Sequence, residues 1–340
     1  MAAVQAPSVQ TPYSAVVRSV ASHLPETILT NKDLEKLVDT TDEWIVSRTG
    51  IRERRVLKEN ETTSDMAVEA GRKAMALAGV TPEQIGLVLC ATFTPDYVFP
   101  ATACLVQDRL GLKSAAAFDL NAACSGFIYG LTVAAQFVQT GFYEHVLMIG
   151  CDANSRLVDW QDRGTCVIFG DGASAVVVSR SNRHDRGVRA SYLRADGSGW
   201  KFLHQPAGGA KRPPTVETVR DRLHHIKMDG KETFKFAARA MAEAANEACK
   251  RAGLELSDIK LLVPHQANIR IIDAACSRMG FGPERVVINI DRFGNTVAAS
   301  VGIALDEALR AGRIAEGDNL LLLGFGAGLT WGGLVLSWGC

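Results

Sequence analysis

Short apolar runs alternate along this chain with longer stretches in which apolar residues recur every three to four positions. Residues 85–92, 116–120, 145–151 and 173–179 read as strands, as do 259–263, 286–290, 319–324 and 332–338. The intervening helical periodicity predicts helices over 64–78, 102–110, 125–139, 231–252, 269–279 and 298–311. The strand runs are apolar at nearly every position rather than at alternate ones. That pattern belongs to sheets buried on both faces, so the class is α/β, with helical layers covering the sheets. Residues 182–227 break the alternation. They carry glycines, the pair Pro213-Pro214 and many charges, and are expected to form surface excursions over a site.

A weak internal repeat divides the chain. KAMALAGVTPEQIGLVL (73–89) and EACKRAGLELSDIKLLV (247–263) share a helix end at Ala-Gly, a short turn and the entry to a strand. The offset from Ala78 to Ala252 and from Ile85 to Ile259 is 174 residues, about half the chain. Two duplicated α/β halves are expected, 13–180 and 181–340, with equivalent loops facing one central site. Residues 1–12 lack a basic start followed by an apolar core and are expected to be a flexible tail rather than a signal peptide.

Composition narrows the partners. Lys+Arg and Asp+Glu both number 37 in 340 residues, so net charge argues for neither nucleic acid nor a membrane surface. No run approaches the ~20 apolar residues that span a bilayer. Eight cysteines, none in a C-x-x-C pair, predict reduced thiols in a cytoplasmic enzyme, without a zinc site or other metal.

One cysteine stands apart. In FDLNAACSG a strand delivers Cys124 to a sharp bend with a helix directly behind it, and the neighbours Ala122, Ala123, Ser125 and Gly126 are small. Free amides and the helix dipole there favour a thiolate, and the Cys124 N–H is placed to serve an oxyanion. A buried cysteine at a tight junction reads the same way locally. His265, in LLVPHQANIR, is the first polar side chain at the end of another strand, and Asn268 suits the N-cap of the following helix. Asn295, in DRFGNTVAAS, occupies a third strand-to-helix junction, where a helix cap is the plainer role. Offset by 174, Cys124 corresponds to position 298, three residues past Asn295. A neutral histidine and an asparagine amide converging on one carbonyl oxygen stabilise an enolate without a metal. Cysteine peptidases also use Cys-His-Asn, but their C-G-[SA]-C-[WY] signature is absent.

These residues resemble those of the β-ketoacyl-acyl-carrier-protein synthase III family of thiolase-fold condensing enzymes. DEWIVSRTGIRERR, NAACSGF, DRGTCVIFGDGA, VPHQANIR, DRFGNTVAASV and GFGAGLTWG follow the family's order from about Thr11 onward. Asn295 matters most, because elongating synthases of this fold carry a second histidine there. The resemblance implies a five-layered αβαβα architecture, a homodimer and no cofactor beyond the substrate acyl-CoA. It implies that Cys124 takes a short acyl group from acyl-CoA and that His265 and Asn295 hold malonyl-acyl-carrier protein as CO2 leaves. The Gly326-Ala327-Gly328 turn would supply an oxyanion N–H, with Ala327 where glycine is familiar, and Phe325 would shield the malonyl group. Trp44 and Arg163 would sandwich the CoA adenine, and Arg48, Met228, Gly230, Phe234 and Asn268 would line the pantetheine tunnel. Phe99 would floor a partner's acyl pocket, favouring acetyl. Lys235, Arg270 and Arg278 would meet the carrier protein. Without the resemblance, Trp44 reads as a helix-face core residue, and these cations read as solvated charges. Related readings are a ketosynthase making polyketide or quinolone precursors, hydroxymethylglutaryl-CoA synthase, whose glutamate base has no evident counterpart here, and a non-catalytic scaffold.

Overall fold

The computed structural model describes residues 11–340, so the expected tail at 1–12 lies almost wholly outside the described residues. The chain opens with β1 (Ser14–His23), β2 (Thr27–Thr30), α1 (Asn31–Leu34), α2 (Asp42–Thr49) and β3 (Glu53–Val56). It continues through α3 (Thr63–Ala78), β4 (Ile85–Ala91), α4 (Thr102–Arg109), β5 (Ala116–Leu120), α5 (Gly126–Gln139), β6 (His145–Asp152), α6 (Arg163–Cys166) and β7 (Gly172–Ser181). Next come β8 (Gly187–Ala195), β9 (Leu203–His204), α7 (Val216–Arg220), β10 (Lys227–Met228), α8 (Gly230–Ala252), β11 (Leu261–Pro264) and α9 (Ile269–Met279). The last elements are α10 (Ile290–Phe293), α11 (Ser300–Arg310), β12 (Asn319–Gly326) and β13 (Thr330–Ser337).

Two sheets repeat one pattern. The first runs β1-β7-β6-β4-β5, the second β11-β12-β13-β8. In the first, β6 pairs parallel with β4 and antiparallel with β7. In the second, β12 pairs parallel with β11 and antiparallel with β13. α5 packs on β4, β6 and β7 and also on β12 and β13, while α11 lies between β1, β7, β11 and β12. The α5 sequence, GFIYGLTVAAQFVQ, is apolar nearly all round, as a helix between two sheets must be. α3 and α8, which carry a single apolar stripe, cover the outer faces. The result is the expected five-layered αβαβα arrangement.

The 174-residue offset recurs in the backbone. α3 and α8 end at left-handed Gly79 and Gly253 (φ 63° and 70°). Single 3-10 turns at Ala123–Ser125 and Val297–Ala299 precede α5 and α11. They hold two of the three positive-φ non-glycine residues described, Ala123 (φ 45°) and Val297 (φ 49°).

Three expectations need correction. Residues 286–290 form no strand, only a single parallel bridge from Val286 to Leu262. The Gln266 amide displaces the neighbour a strand would need, donating to Val287 O (3.0 Å) and accepting from Asn289 N–H (3.1 Å). The segment 182–227 is not wholly excursion, because β8 closes the second sheet. β1 is an additional strand whose Ser19 is buried and satisfied, its hydroxyl donating to Ala74 O at 2.7 Å.

Candidate active site

The two equivalent 3-10 turns meet at the centre of the molecule, and the first presents Cys124. β12 passes directly over it. A Cβ added to Gly326 would sit 2.7 Å from Cys124 N and 2.9 Å from its Cβ, so only glycine lets the strand come this close. Thr330, the first residue of β13, fastens the turn. Its hydroxyl lies 3.0 Å from both Ala122 O and Ala327 O, and its carbonyl accepts from the Ser125 hydroxyl. The Gly326-Ala327-Gly328 turn is thus held against the cysteine. Ala327 keeps an ordinary backbone, since only Ala123, Arg222 and Val297 among described non-glycine residues have positive φ.

Burial pushes the Cys124 thiol up to about 12, with the Asp152 charge adding to it. The N–H groups of Cys124 and Ala327 act in the opposite sense on the sulfur. The expectation that the helix start leaves a thiolate is therefore corrected: desolvation outweighs it, and the resting group is a thiol. His265 is fully buried beyond the end of β11, its N–H bonded to Leu323 O (2.8 Å) and its ring edge-on to Phe325 at 5.3 Å. Neither ring nitrogen has a partner among the described residues. Burial holds its pKa down to about 3, so the imidazole is neutral, with one nitrogen available to donate. Asn295 Oδ1 accepts from Val297 N–H at 2.9 Å. That contact leaves its NH2 group as the free end of the amide.

Cys124, His265, Asn295, Phe325 and Gly326 line one cavity of about 540 Å³. Trp44, Arg48, Arg163, Met228, Gly230, Phe234 and Asn268 line the same cavity, as do Lys235 and Arg270. Arg48, Arg163, Lys235 and Arg270 are exposed, so the mouth is cationic and the three polar groups sit at its buried end. The Arg163 guanidinium lies 4.8 Å from the Trp44 ring centroid and donates to Asp39 O (2.8 Å). Asn268 caps α9, accepting from Arg270 N–H, and donates to Arg48 O. Arg278 lies on α9, exposed and outside the cavity lining.

Cys124 also lines a second cavity of about 380 Å³, with Phe93, Asn121, Leu203, Ile226, Val297, Ala327 and Thr330 on its walls. Phe99 is not among these; it is 84% exposed at the surface of the single chain. Asp152 is a residue the sequence offered no signal for. Its buried carboxylate accepts from Phe93 N–H and Ala298 N–H, bracing the second 3-10 turn from β6. Burial pushes it up to about 7. Among the described residues no cluster of three or more His, Cys, Asp or Glu side chains is placed to hold a metal, and no helix is long and apolar enough to cross a membrane.

Residues 118–197 match the family described as 3-Oxoacyl-[acyl-carrier-protein (ACP)] synthase III, and residues 249–338 match its C-terminal part. The beta-ketoacyl-[acyl-carrier-protein] synthase III of Symbiobacterium thermophilum is 55% identical over 316 residues, 93% of this chain and 96% of that protein. The chain belongs to the 3-oxoacyl-[acyl-carrier-protein] synthase III family. The family's enzyme from Aquifex aeolicus has a crystal structure that superposes with a TM-score of 0.89 at 44% identity, covering 95% of this chain and 100% of that one. A priming beta-ketosynthase from the R1128 polyketide pathway superposes with a TM-score of 0.88 at 37% identity, covering 98% and 99%. The thiolase-like fold and the condensing-enzyme class of the family are thereby those of this chain.

Proposed function

We propose that this protein condenses a short acyl group from acyl-CoA with malonyl-acyl-carrier protein, initiating fatty acid synthesis. The Cys124 sulfur attacks the acyl-CoA carbonyl, the N–H groups of Cys124 and Ala327 take the developing oxyanion, and the thiol proton leaves on the CoA sulfur. The malonyl-pantetheine arm of the carrier protein then enters the 540 Å³ cavity. His265 and Asn295 donate to its thioester oxygen, the carboxylate departs as CO2, and the enolate carbon attacks acyl-Cys124 to give 3-oxoacyl-carrier protein and the Cys124 thiolate, which takes up a proton from water to return to the thiol. Phe325 presents an apolar edge to the carboxylate that leaves.

The observation that carries this reading is the pairing of a neutral, unpartnered imidazole with an amide whose oxygen is already taken, both lining one cavity with the thiol. Neither group can accept a proton readily, and both can donate a hydrogen bond. The cationic mouth suits CoA phosphates, and Trp44 suits the adenine, which needs Arg163 to swing off the indole to admit it. Met228, Gly230, Phe234 and Asn268 would flank the pantetheine. Lys235, Arg270 and, further out, Arg278 would face the acidic carrier protein. The second cavity would hold the acyl chain, with Phe99 of another copy at its floor. The exposed run Tyr97, Val98 and Phe99 supports such a homodimer. We take the halves as 13–180 and 181–340, and a cytoplasmic setting suits the eight unpaired thiols.

Intact mass after incubation with acetyl-CoA tests the first step: one acetyl adduct is expected, absent in Cys124→Ala. Malonyl-carrier protein should then release CO2 and 3-oxobutanoyl-carrier protein. Hydrolysis without condensation would overturn the reading. The similarity to a polyketide-priming enzyme supports a second reading, in which the same chemistry primes a specialised pathway. A clear octanoyl-CoA preference over acetyl-CoA and isobutyryl-CoA would also sink the short-primer assignment.

A further inference from the structure

Arg54, in β3, heads the fully buried side chains by volume among the described residues, and nothing in the chemistry above uses it. Its guanidinium has no carboxylate partner among the described residues. It donates instead to Val167 O (2.7 Å), Asn31 Oδ1 (2.9 Å) and Leu29 O (3.2 Å). A cation buried against neutral oxygens is costly and survives where its geometry serves a purpose. Burial lowers its pKa only to about 10, so it stays charged at neutral pH.

The oxygens it grips lead to the site on one side and to the cavity mouth on the other. Val167 begins the segment that carries Ile168, Phe169 and Gly170 alongside Asn295. Asn295 N–H donates to Ile168 O (2.9 Å), and Gly170 N–H donates to Asn295 O (3.0 Å), so this segment clamps the Asn295 peptide on both sides. Arg54 also forms the wall against which that clamp is pressed. A Cβ on Gly170 would stand 3.0 Å from Arg54 Cβ and 2.4 Å from Phe293 O. One on Gly294 would stand 3.3 Å from Arg54 Cβ and 2.8 Å from Ile168 O. Asn31, the second acceptor, donates to Asp42 Oδ1 and Ile51 O and so ties the guanidinium to α2, which carries Trp44 and Arg48.

We propose that Arg54 is a positioning residue for Asn295, holding its amide where the malonyl thioester oxygen is received. The inference rests on the function proposed above. A planar fork donates in several fixed directions at once, which a lysine ammonium at the same place cannot reproduce. At saturating acetyl-CoA the role is confined to the malonyl half-reaction, because acylation of bound acetyl-CoA relies on the Cys124 and Ala327 amides, which Arg54 does not touch; its tie to α2 through Asn31 would act only on KM for acetyl-CoA.

Rapid-quench intact mass at saturating acetyl-CoA reads acylation, and CO2 release from malonyl-carrier protein reads decarboxylation. Both are to be measured for the wild type, Arg54→Lys, Asn295→Ala and the double variant. Arg54→Lys should acylate within about threefold of wild type yet lose about 10²-fold in CO2 release, the usual cost of one oxyanion donor. The double variant should be no slower than Asn295→Ala alone. Equal losses in both half-reactions, or losses that multiply in the double variant, would overturn the proposal and leave Arg54 a purely structural residue. Where thermal melting shows that Arg54→Lys does not fold, Asn31→Ala carries the test, with about a tenfold loss in CO2 release and an unchanged acylation rate expected at saturating acetyl-CoA. A wild type that is never acylated brings down the proposed function and this inference with it. An Asn295→Ala variant that releases CO2 at the wild-type rate removes Asn295 from the chemistry, and the inference falls while acylation stands.

Discussion

At the scale of single residues, desolvation dominates this site. His265 has no charge near enough to offset its burial, and its pKa falls to about 3. Because the folded value lies below the ordinary 6.5, the neutral form stabilises the fold. That stability is fully present above pH 6.5 and is lost as pH falls from 6.5 towards 3. His265→Phe, apolar and of similar size, should flatten this dependence. Denaturant titrations should show the wild type losing about 2 kcal/mol more than the variant between pH 7 and pH 5. Gly326 is a second residue-scale constraint, set by distance rather than charge. Gly326→Ala would push β12 from the nucleophile and should lower the Cys124 acylation rate at least ~10²-fold, as rapid-quench mass measurements would record. Neither effect could be estimated from the chain alone, since both depend on what is folded against the residue.

At the scale of elements, periodicity located most helices and the parallel strands, because their apolar content reports burial directly. It failed where a side chain stood in for a strand. The run at 286–290 is apolar enough for a sheet, yet the Gln266 amide takes the backbone bonds a neighbouring strand would make. β1 escaped notice because buried Ser14 and Ser19 read as polar, although their hydroxyls are satisfied by backbone oxygens. α2 is an element whose meaning came from resemblance. It brings Trp44 and Arg48 to the mouth, where the Arg163 guanidinium rests on the indole. Trp44→Ala should raise KM for acetyl-CoA about tenfold at unchanged kcat. It should leave KM for an acetyl-pantetheine substrate, which lacks the adenine, unaltered. Steady-state kinetics with both substrates checks this.

At the scale of the whole molecule, the recurrence of one backbone pattern at a 174-residue offset accounts for the central site. Each half contributes a 3-10 turn entered through a left-handed residue, and the two turns meet where α5 and α11 fill the space between the sheets. The same scale raises the question of a second copy. Val98 is 91% exposed and Phe99 84%, adjacent to exposed Tyr97, and apolar side chains so placed in a row call for a covering surface. The homodimer proposed above predicts that Phe99→Asp shifts the protein to monomer in sedimentation or size-exclusion measurements and impairs acyl transfer. A wild type that sediments as a monomer would contradict this.

The chain by itself determined the α/β class and singled out the half-chain repeat and Cys124, His265 and Asn295 as candidates, because hydrophobic periodicity and residue type are local properties of sequence; it was the resemblance that ranked the three above structural roles. Only the tertiary structure decided that these three side chains share one cavity, that the thiol rests protonated and that His265 is neutral. Those outcomes depend on desolvation and on contacts between residues far apart in sequence. The Arg54 clamp on the Asn295 segment is of the same kind: its partners at 31, 167 and 29 are assembled by the fold, and no spacing along the chain announces them.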